Sequence, residues 1–332
     1  MEKTVEQILR LLVMKGVLVG YSENRLYVKT EQAKNQLSMM LKEFGIADVY
    51  RPQDILVIGE IKVLSGQTLD RTQKFRPIMM GISLGQRDIT AGTLGGFAEK
   101  NGEHYIVSNA HVLHSYPLSP NPPTNKEIWQ PGPIDTGYDF AHEDEYVVGY
   151  YEKHVRVRSM YDYSDCPVTK TINKLYEWFG RNSRAIVIQV ANYVDLAIAR
   201  VKEGIEIQNN TFGYIYGGID DVNINKMAYI GNLFAGSQYG HAVIVKSAKY
   251  WNDYFAGYSL MFPNVRTEVE IGEKICKDGR TSGATCGTVL DNRMSVVVNY
   301  GLDLAWFEDV ILTDENVHAQ GGDSGSATFV NP

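Results

Sequence analysis

The stretch Gln320-Gly321-Gly322-Asp323-Ser324-Gly325-Ser326 places a serine between glycines, directly after an aspartate. Glycine reaches backbone conformations closed to other residues, so such a turn can bring a serine hydroxyl close to a substrate. It can also aim the amides of Gly322 and Ser324 at one point, where the oxyanion of a tetrahedral intermediate would sit. The bland alternative is an ordinary Gly-Asp-Ser-Gly surface turn, which average residue usage produces in roughly one such chain in a hundred. Serine attack on an acyl carbon needs a base for the proton and a carboxylate to orient that base. Two upstream stretches offer them. His111 follows an apolar strand pattern in Tyr105-Ile106-Val107-Ser108-Asn109-Ala110-His111, and begins a turn. Asp195 stands among Val194, Leu196 and Ile198, where a buried carboxylate needs a partner. Of the seven histidines, His104, His142, His154 and His241 lack such a context and read as surface or structural residues.

The whole chain is compatible with that chemistry. Its 332 residues are 44% hydrophobic and 21% charged, the make-up of a globular protein of about two domains, or three if one is small. A net charge of −7 without a basic cluster argues against nucleic acid as a partner. Lys153, Arg156 and Arg158 alternate with other residues and read as one solvated strand face. No run of eighteen apolar residues exists, so no membrane partner is expected, and Arg10 and Lys15 interrupt the apolar start that a signal peptide would need. Cytoplasm is the default location, with an extracellular one left open by the cysteines. No cofactor or metal is expected. His142-Glu143-Asp144-Glu145 is the nearest thing to a metal cluster and reads as an exposed acidic turn.

The elements that must position the three residues can be read from periodicity. Residues 1–14 carry Val5, Ile8, Leu9, Leu12 and Val13 at helical spacing, and 17–21 with 25–29 form a hairpin. Thr30 caps a second helix with Ala33, Leu37, Met40, Leu41 and Phe44 on one face, and 55–64 is a strand. This gives a small α/β unit over residues 1–75. From Ile89 onward the texture changes to short strands and Gly, Asn and Pro turns, which predicts a barrel or sandwich. Strands are expected at 92–98 and 105–108 around an Asn101-Gly102 turn, then at 185–190, 227–234, 242–246, 271–289, 294–300 and 305–312. A helix is expected at 169–179, and 115–139 reads as a proline-rich loop.

Ser-Asn-Ala-His-Val, Val-Asp-Leu-Ala-Ile-Ala and Gly-Gly-Asp-Ser-Gly-Ser resemble the three signatures of the chymotrypsin-fold (trypsin-like) serine peptidases. The resemblance is nearer still to a bacterial, phage and plant branch that includes the narrow-leaf proteins. That branch has stretches like Arg76-Pro77 with Gly81–Gly95, like Gln130-Pro131-Gly132, and like Lys277–Gly283. These six ordered motifs span about residues 76–330. The resemblance implies a mainly β protein of two antiparallel β-barrels, one over 76–202 with His111 and Asp195, one over 203–332 with Ser324. It implies a serine endopeptidase acting on polypeptides, with Ser324 as nucleophile, His111 as general base and acid, and Asp195 as its orienting carboxylate. Gly322 and Ser324 would supply the oxyanion-hole amides, and Asp323 would hold the turn. A cystine at the spacing of Cys276 and Cys286 occurs in the secreted bacterial branch; two buried thiols are the equal alternative. Cys166 has no visible partner.

One departure stands out. Family members continue past the serine with strands that complete the second barrel and wall the specificity pocket, whereas eight residues follow Ser324 here. The expectation is an incomplete second barrel with an unpaired edge after Ser324. The alternative is that Gly231–Ser237, which resembles the missing strand, supplies the wall from upstream. By the same resemblance His318 would lie at the pocket base and could accept acidic side chains; an ordinary loop histidine is the reading its local sequence favours. Three functions stay open: an endopeptidase, a peptidase-fold binding or scaffold protein with little turnover, and a protease that processes its own chain.

Overall fold

The computed structural model describes residues 3–46, 49–59, 61–63, 70–160, 171, 190–208, 227–301 and 303–331. At the start, α1 (Lys3–Met14) buries Val5, Leu9, Leu12 and Val13, the face that its periodicity marked. Helix α2 (Glu31–Glu43) is capped by Thr30, whose hydroxyl accepts from the Ala33 amide at 3.1 Å. Both helices pack with Leu26, Ile55 and the indole of Trp306 in one core. The short strands β1 (Gly20–Tyr21), β2 (Leu26–Val28) and β3 (Ile55–Val57) lie side by side in order. A further strand, β4 (Ile61–Val63), stands apart from them.

The first large sheet is built from β5 (Ser83–Gln86), β6 (Gly92–Thr93), β7 (Gly96–Lys100), β8 (Glu103–Ser108), β9 (Glu127–Trp129), β10 (Val147–His154) and β11 (Ala197–Val201). Only Leu94 and Gly95 separate β6 from β7, so one bent strand pairs with β5 through its first half and with β8 through its second. That bend curls the sheet back on itself. The β7–β8 turn has Asn101 and Gly102 both at positive φ, 54° and 81°, the left-handed pair that a two-residue hairpin turn needs.

The second sheet contains β12 (Ala228–Ser237), β13 (Ala242–Val245), β15 (Lys274–Gly279), β16 (Gly283–Asn299), β17 (Leu304–Thr313) and β18 (Ala327–Val330). Between them come helix α4 (Ser247–Phe255) and β14 (Ser259–Leu260), which pairs with β7 of the first sheet. The order β15-β18-β12-β13-β17-β16 returns to β15 through its pairing with β16, so these six strands close a ring. Strand β1 adds β1 to β3 to this sheet through β16. The fold is mainly β, a chymotrypsin-like double barrel. Its shared core includes Val107 and Ile198 from the first sheet with Phe234 and Phe307 from the second.

Several sequence expectations are corrected. Strand β18 has no open edge: it pairs with β12 on one side and β15 on the other. Its partner on one side comes from upstream, through Ala228–Asn232 of β12, because pairing depends on the edge presented and not on chain order. Residues 271–289 are a hairpin, and β16 runs through its second arm as one long strand to Asn299. The 115–139 loop contains β9, and the strand over 147–154 ends before Arg156 and Arg158. All but Thr171 of the helix expected at 169–179, most of the strand at 185–190 and Cys166 lie outside the described residues. Among the described residues, no helix is long and apolar enough to cross a membrane.

Candidate active site

Strands β8 and β11 pair antiparallel with Ala197 opposite Ser108, so the end of one lies beside the start of the other. Asn109 and His111, just past the end of β8, therefore meet Asp195, just before the start of β11. The Asn109 side-chain amide donates to the Asp195 carbonyl at 2.7 Å. His111 sits in a single helical turn, α3 (Ala110–Leu113). Its backbone amide donates to Asp195 Oδ1 at 3.2 Å, and its Nδ1 lies 2.6 Å from Asp195 Oδ2. The Asp195 carboxylate is fully buried. His111 Nε2 is also buried and has no hydrogen-bond partner among the described residues. With Nδ1 held by the carboxylate, Nε2 is the nitrogen left to exchange a proton.

A third group completes the carboxylate's shell. Tyr300, at the start of the β16–β17 turn, donates its hydroxyl to Asp195 Oδ2 at 2.6 Å and stands edge-on to the His111 ring. Burial pushes the Asp195 carboxyl up, but His111, the Tyr300 hydroxyl and the His111 amide outweigh it and hold the group below the usual carboxylate range. Burial and then the charge of Asp195 push the Tyr300 phenol well above its ordinary value, so it stays a donor. The sequence hid Tyr300, because it ends the alternating run Val296, Val298 and reads as one more strand residue.

The serine turn is clamped from both barrels. Gly322 and Gly325 take φ of 93° and 96°, so the glycines flanking Asp323-Ser324 are required by the backbone. From the first sheet, Thr93 donates its amide to the Ser324 carbonyl at 2.7 Å and its hydroxyl to the Gly322 carbonyl at 2.8 Å. A Cβ on Gly92 would lie 2.8 Å from that same Ser324 carbonyl and 2.5 Å from Val112, the neighbour of His111. The serine and the histidine are thus brought against the same short strand. Ser324 itself is 1% exposed, and its hydroxyl has the Phe234 carbonyl of β12 at 3.4 Å.

Asp323 is fully buried and acts as the internal post of the turn. Its Oδ1 accepts the amides of Thr281 and Ser282 at 2.9 and 3.0 Å, and its Oδ2 accepts the Gln320 amide at 3.0 Å and the Ser282 hydroxyl at 2.5 Å. The Lys277 ammonium, also fully buried, stands 3.5 Å from Oδ2. Burial pulls the Lys277 pKa down, against the opposing pull of Asp323 and Asp278. The role of the 277–283 motif is therefore to receive Asp323. Beside it Cys276 and Cys286 form a disulfide across the β15–β16 hairpin. Arg280 carries the clamp to the first barrel through its buried ion pair with Asp135. His318 is exposed, with φ 51°, and accepts from the Gln320 side-chain amide at 2.5 Å. Among the described residues no cluster of three potential metal ligands occurs.

No protein-family model matches the chain, and no curated protein sequence does. Among solved structures it is similar to a glutamic-acid-specific serine protease that uses a histidine triad in substrate binding, at 13% identity over 76% of this chain and 93% of that one, with a TM-score of 0.34. It is also similar to the Nocardiopsis protease, at 12% identity over 76% and 90% of the two chains and a TM-score of 0.32. Thermobifida fusca protease A gives 12% identity over 77% and 91%, again with a TM-score of 0.32. These neighbours are chymotrypsin-fold serine proteases.

Proposed function

We propose that the protein is a serine endopeptidase in which Ser324, His111 and Asp195 act as a unit. The observation that carries the reading is the buried Asp195–His111 contact, which leaves His111 Nε2 as the one ring nitrogen free to work. In this reading Ser324 Oγ attacks the peptide carbonyl and its proton passes to Nε2. Asp195 holds the ring's tautomer and stabilises the imidazolium that forms. The amides of Gly322 and Ser324 receive the oxyanion, in a turn fixed by Asp323, Thr93 and Lys277. The imidazolium then protonates the leaving amine, and water, activated by the same histidine, hydrolyses the acyl-enzyme. The six ordered motifs support placement near the branch that includes the narrow-leaf proteins.

The test is kinetic. Ser324→Ala, His111→Ala and the double variant are expected to lose similar amounts of kcat/KM on a peptide ester, because triad members are strongly non-additive. Losses that multiply in the double variant contradict the unit. A folded wild-type chain that neither turns over ester nor reacts with a fluorophosphonate is instead a binding protein.

A further inference from the structure

The two amides assigned to the oxyanion are aimed by different means. In a trans peptide the carbonyl and the following N–H point in opposite directions, so whatever holds the carbonyl also aims the amide. For Ser324 that carbonyl belongs to Asp323, and it is taken inside the turn, by the Ser326 amide at 3.0 Å and the Ser326 hydroxyl. For Gly322 it belongs to Gly321, and it is taken from outside the turn, by the Thr281 hydroxyl at 2.6 Å. Two successive glycines give this peptide no side chain of its own to fix its orientation.

A threonine hydroxyl has one proton. With that proton given to the Gly321 carbonyl, Thr281 Oγ1 is an acceptor, and Arg280 Nη1 donates to it at 3.1 Å. The other edge of the guanidinium is fixed by Asp135: Nε donates to Oδ2 at 2.7 Å and Nη2 to Oδ1. Both charged groups are buried, so the fork is held away from water. Only arginine offers a planar pair of donors to a carboxylate and a third nitrogen aimed elsewhere. Arg280 also donates its backbone amide to Thr93 Oγ1 at 3.0 Å, the hydroxyl that holds the Gly322 carbonyl. The packing is close on this side, because a Cβ on Gly322 would collide with both Arg280 Nη1 and Thr281 Oγ1.

We propose that Arg280 and Thr281 are positioning residues for the oxyanion site, a relay that aims and polarises the Gly322 amide. The inference rests on the serine-peptidase reading and adds to it two residues that act through Gly322 and not on the substrate. Hydrogen bonds in series polarise one another, and a cation at the head of the series strengthens those after it. Here the series runs from the guanidinium to the Thr281 hydroxyl, then to the Gly321 carbonyl, and ends at the Gly322 N–H. Asp135 sets the register of the whole relay from the first barrel.

The experiment uses the full chain with three substitutions, each checked for folding by its thermal transition. Thr281→Val keeps the branched shape and removes the hydroxyl, Thr281→Ser restores the hydroxyl, and Arg280→Lys keeps the charge without the fork. The probe is a fluorophosphonate, whose phosphoryl oxygen gains charge as Ser324 Oγ bonds to phosphorus and fluoride leaves. The reading is the rate of Ser324 labelling against pH. Removing one oxyanion donor slows catalysis about a hundredfold or more, so a donor present but no longer aimed should cost about ten- to a hundredfold. Thr281→Val should show that loss on the plateau of the profile, with Thr281→Ser within about threefold of wild type and Arg280→Lys between them. The midpoint of the profile, set by His111, should stay in place in all three. On a peptide ester the loss should fall on kcat with KM unchanged. A folded Thr281→Val labelled within about twofold of wild type, or a Thr281→Ser as slow as Thr281→Val, overturns the inference and leaves the peptidase reading standing. A loss that comes from a displaced midpoint does the same, since it places the fault at His111. If Thr281→Val does not fold, Arg280→Lys decides, and labelling as fast as wild type overturns the relay. A folded wild-type chain without label on Ser324 overturns the peptidase reading and this inference together.

Discussion

Replacing Tyr300 with phenylalanine isolates the contribution of one hydroxyl. Asp195 Oδ2 is shared by His111 Nδ1 and the Tyr300 hydroxyl, each at 2.6 Å, inside a site from which water is excluded. A hydrogen bond to a charged group contributes about 1.5–3 kcal/mol. If that is expressed in the transition state, where His111 becomes charged, kcat/KM should fall by about ten- to a hundredfold. Tyr300 is placed to act through Asp195 and not on the substrate, so the loss should fall on kcat with KM little changed. The pH profile gives the sharper readout. The Asp195 carboxyl sits below its ordinary value in the fold. It therefore contributes stability that is present above the ordinary carboxylate range and is lost as pH falls through the lowered value. Without the Tyr300 donor that lowering shrinks, so the acid limbs of both Tm and kcat should move to higher pH. A Tyr300→Phe chain whose kcat/KM stays within about twofold of wild type, with the same acid limb, refutes the positioning role.

Two further outcomes follow from the buried charges. Asp323→Asn deprives the fully buried Lys277 of its nearest opposite charge, a loss of about 3–5 kcal/mol in comparable sites, and loosens the turn that carries Ser324. Chemical denaturation should show that drop together with a loss of fluorophosphonate reactivity, and an unchanged midpoint contradicts the account of the post. His114 and His154 lie with ring centroids 4.5 Å apart and planes tilted by 53°, and burial holds both pKa values below the ordinary histidine range, for His154 aided by His114. Such groups favour the fold above the ordinary histidine range and withdraw that support as pH falls through their lowered values. Tm should decline between pH 7 and 5, roughly the histidine range, and His154→Gln should flatten that decline. An identical slope in the variant removes the pair as its cause.

What the sequence revealed was local. The Asn101-Gly102 turn, the Thr30 cap and the contexts of His111, Asp195 and Ser324 are short-range signals, and each corresponds to an observed element or neighbourhood. Residues that act across the barrels left no such mark. Tyr300 lies 105 positions from the carboxylate it serves, and Thr93 meets a carbonyl of Gly322 through pairing that no periodicity encodes. The closure of the second ring is hidden for the same reason. The apolar run at 227–234 predicts a strand, but not which edge it will take, so its place beside β18 does not follow from chain order. The pattern at 55–64 predicts one continuous strand. Gly59, at φ 78°, interrupts it, and the remainder turns away to a different sheet edge.

The central claim is that Ser324 is a nucleophile made reactive by His111 and Asp195. Its most direct measurement is the site and rate of fluorophosphonate adduct formation on the full chain, read by peptide mapping. The account predicts one adduct, on Ser324, absent in Ser324→Ala and formed roughly a thousandfold or more slowly in His111→Ala. A wild-type chain that is folded but unlabelled, or one labelled equally fast without His111, contradicts it.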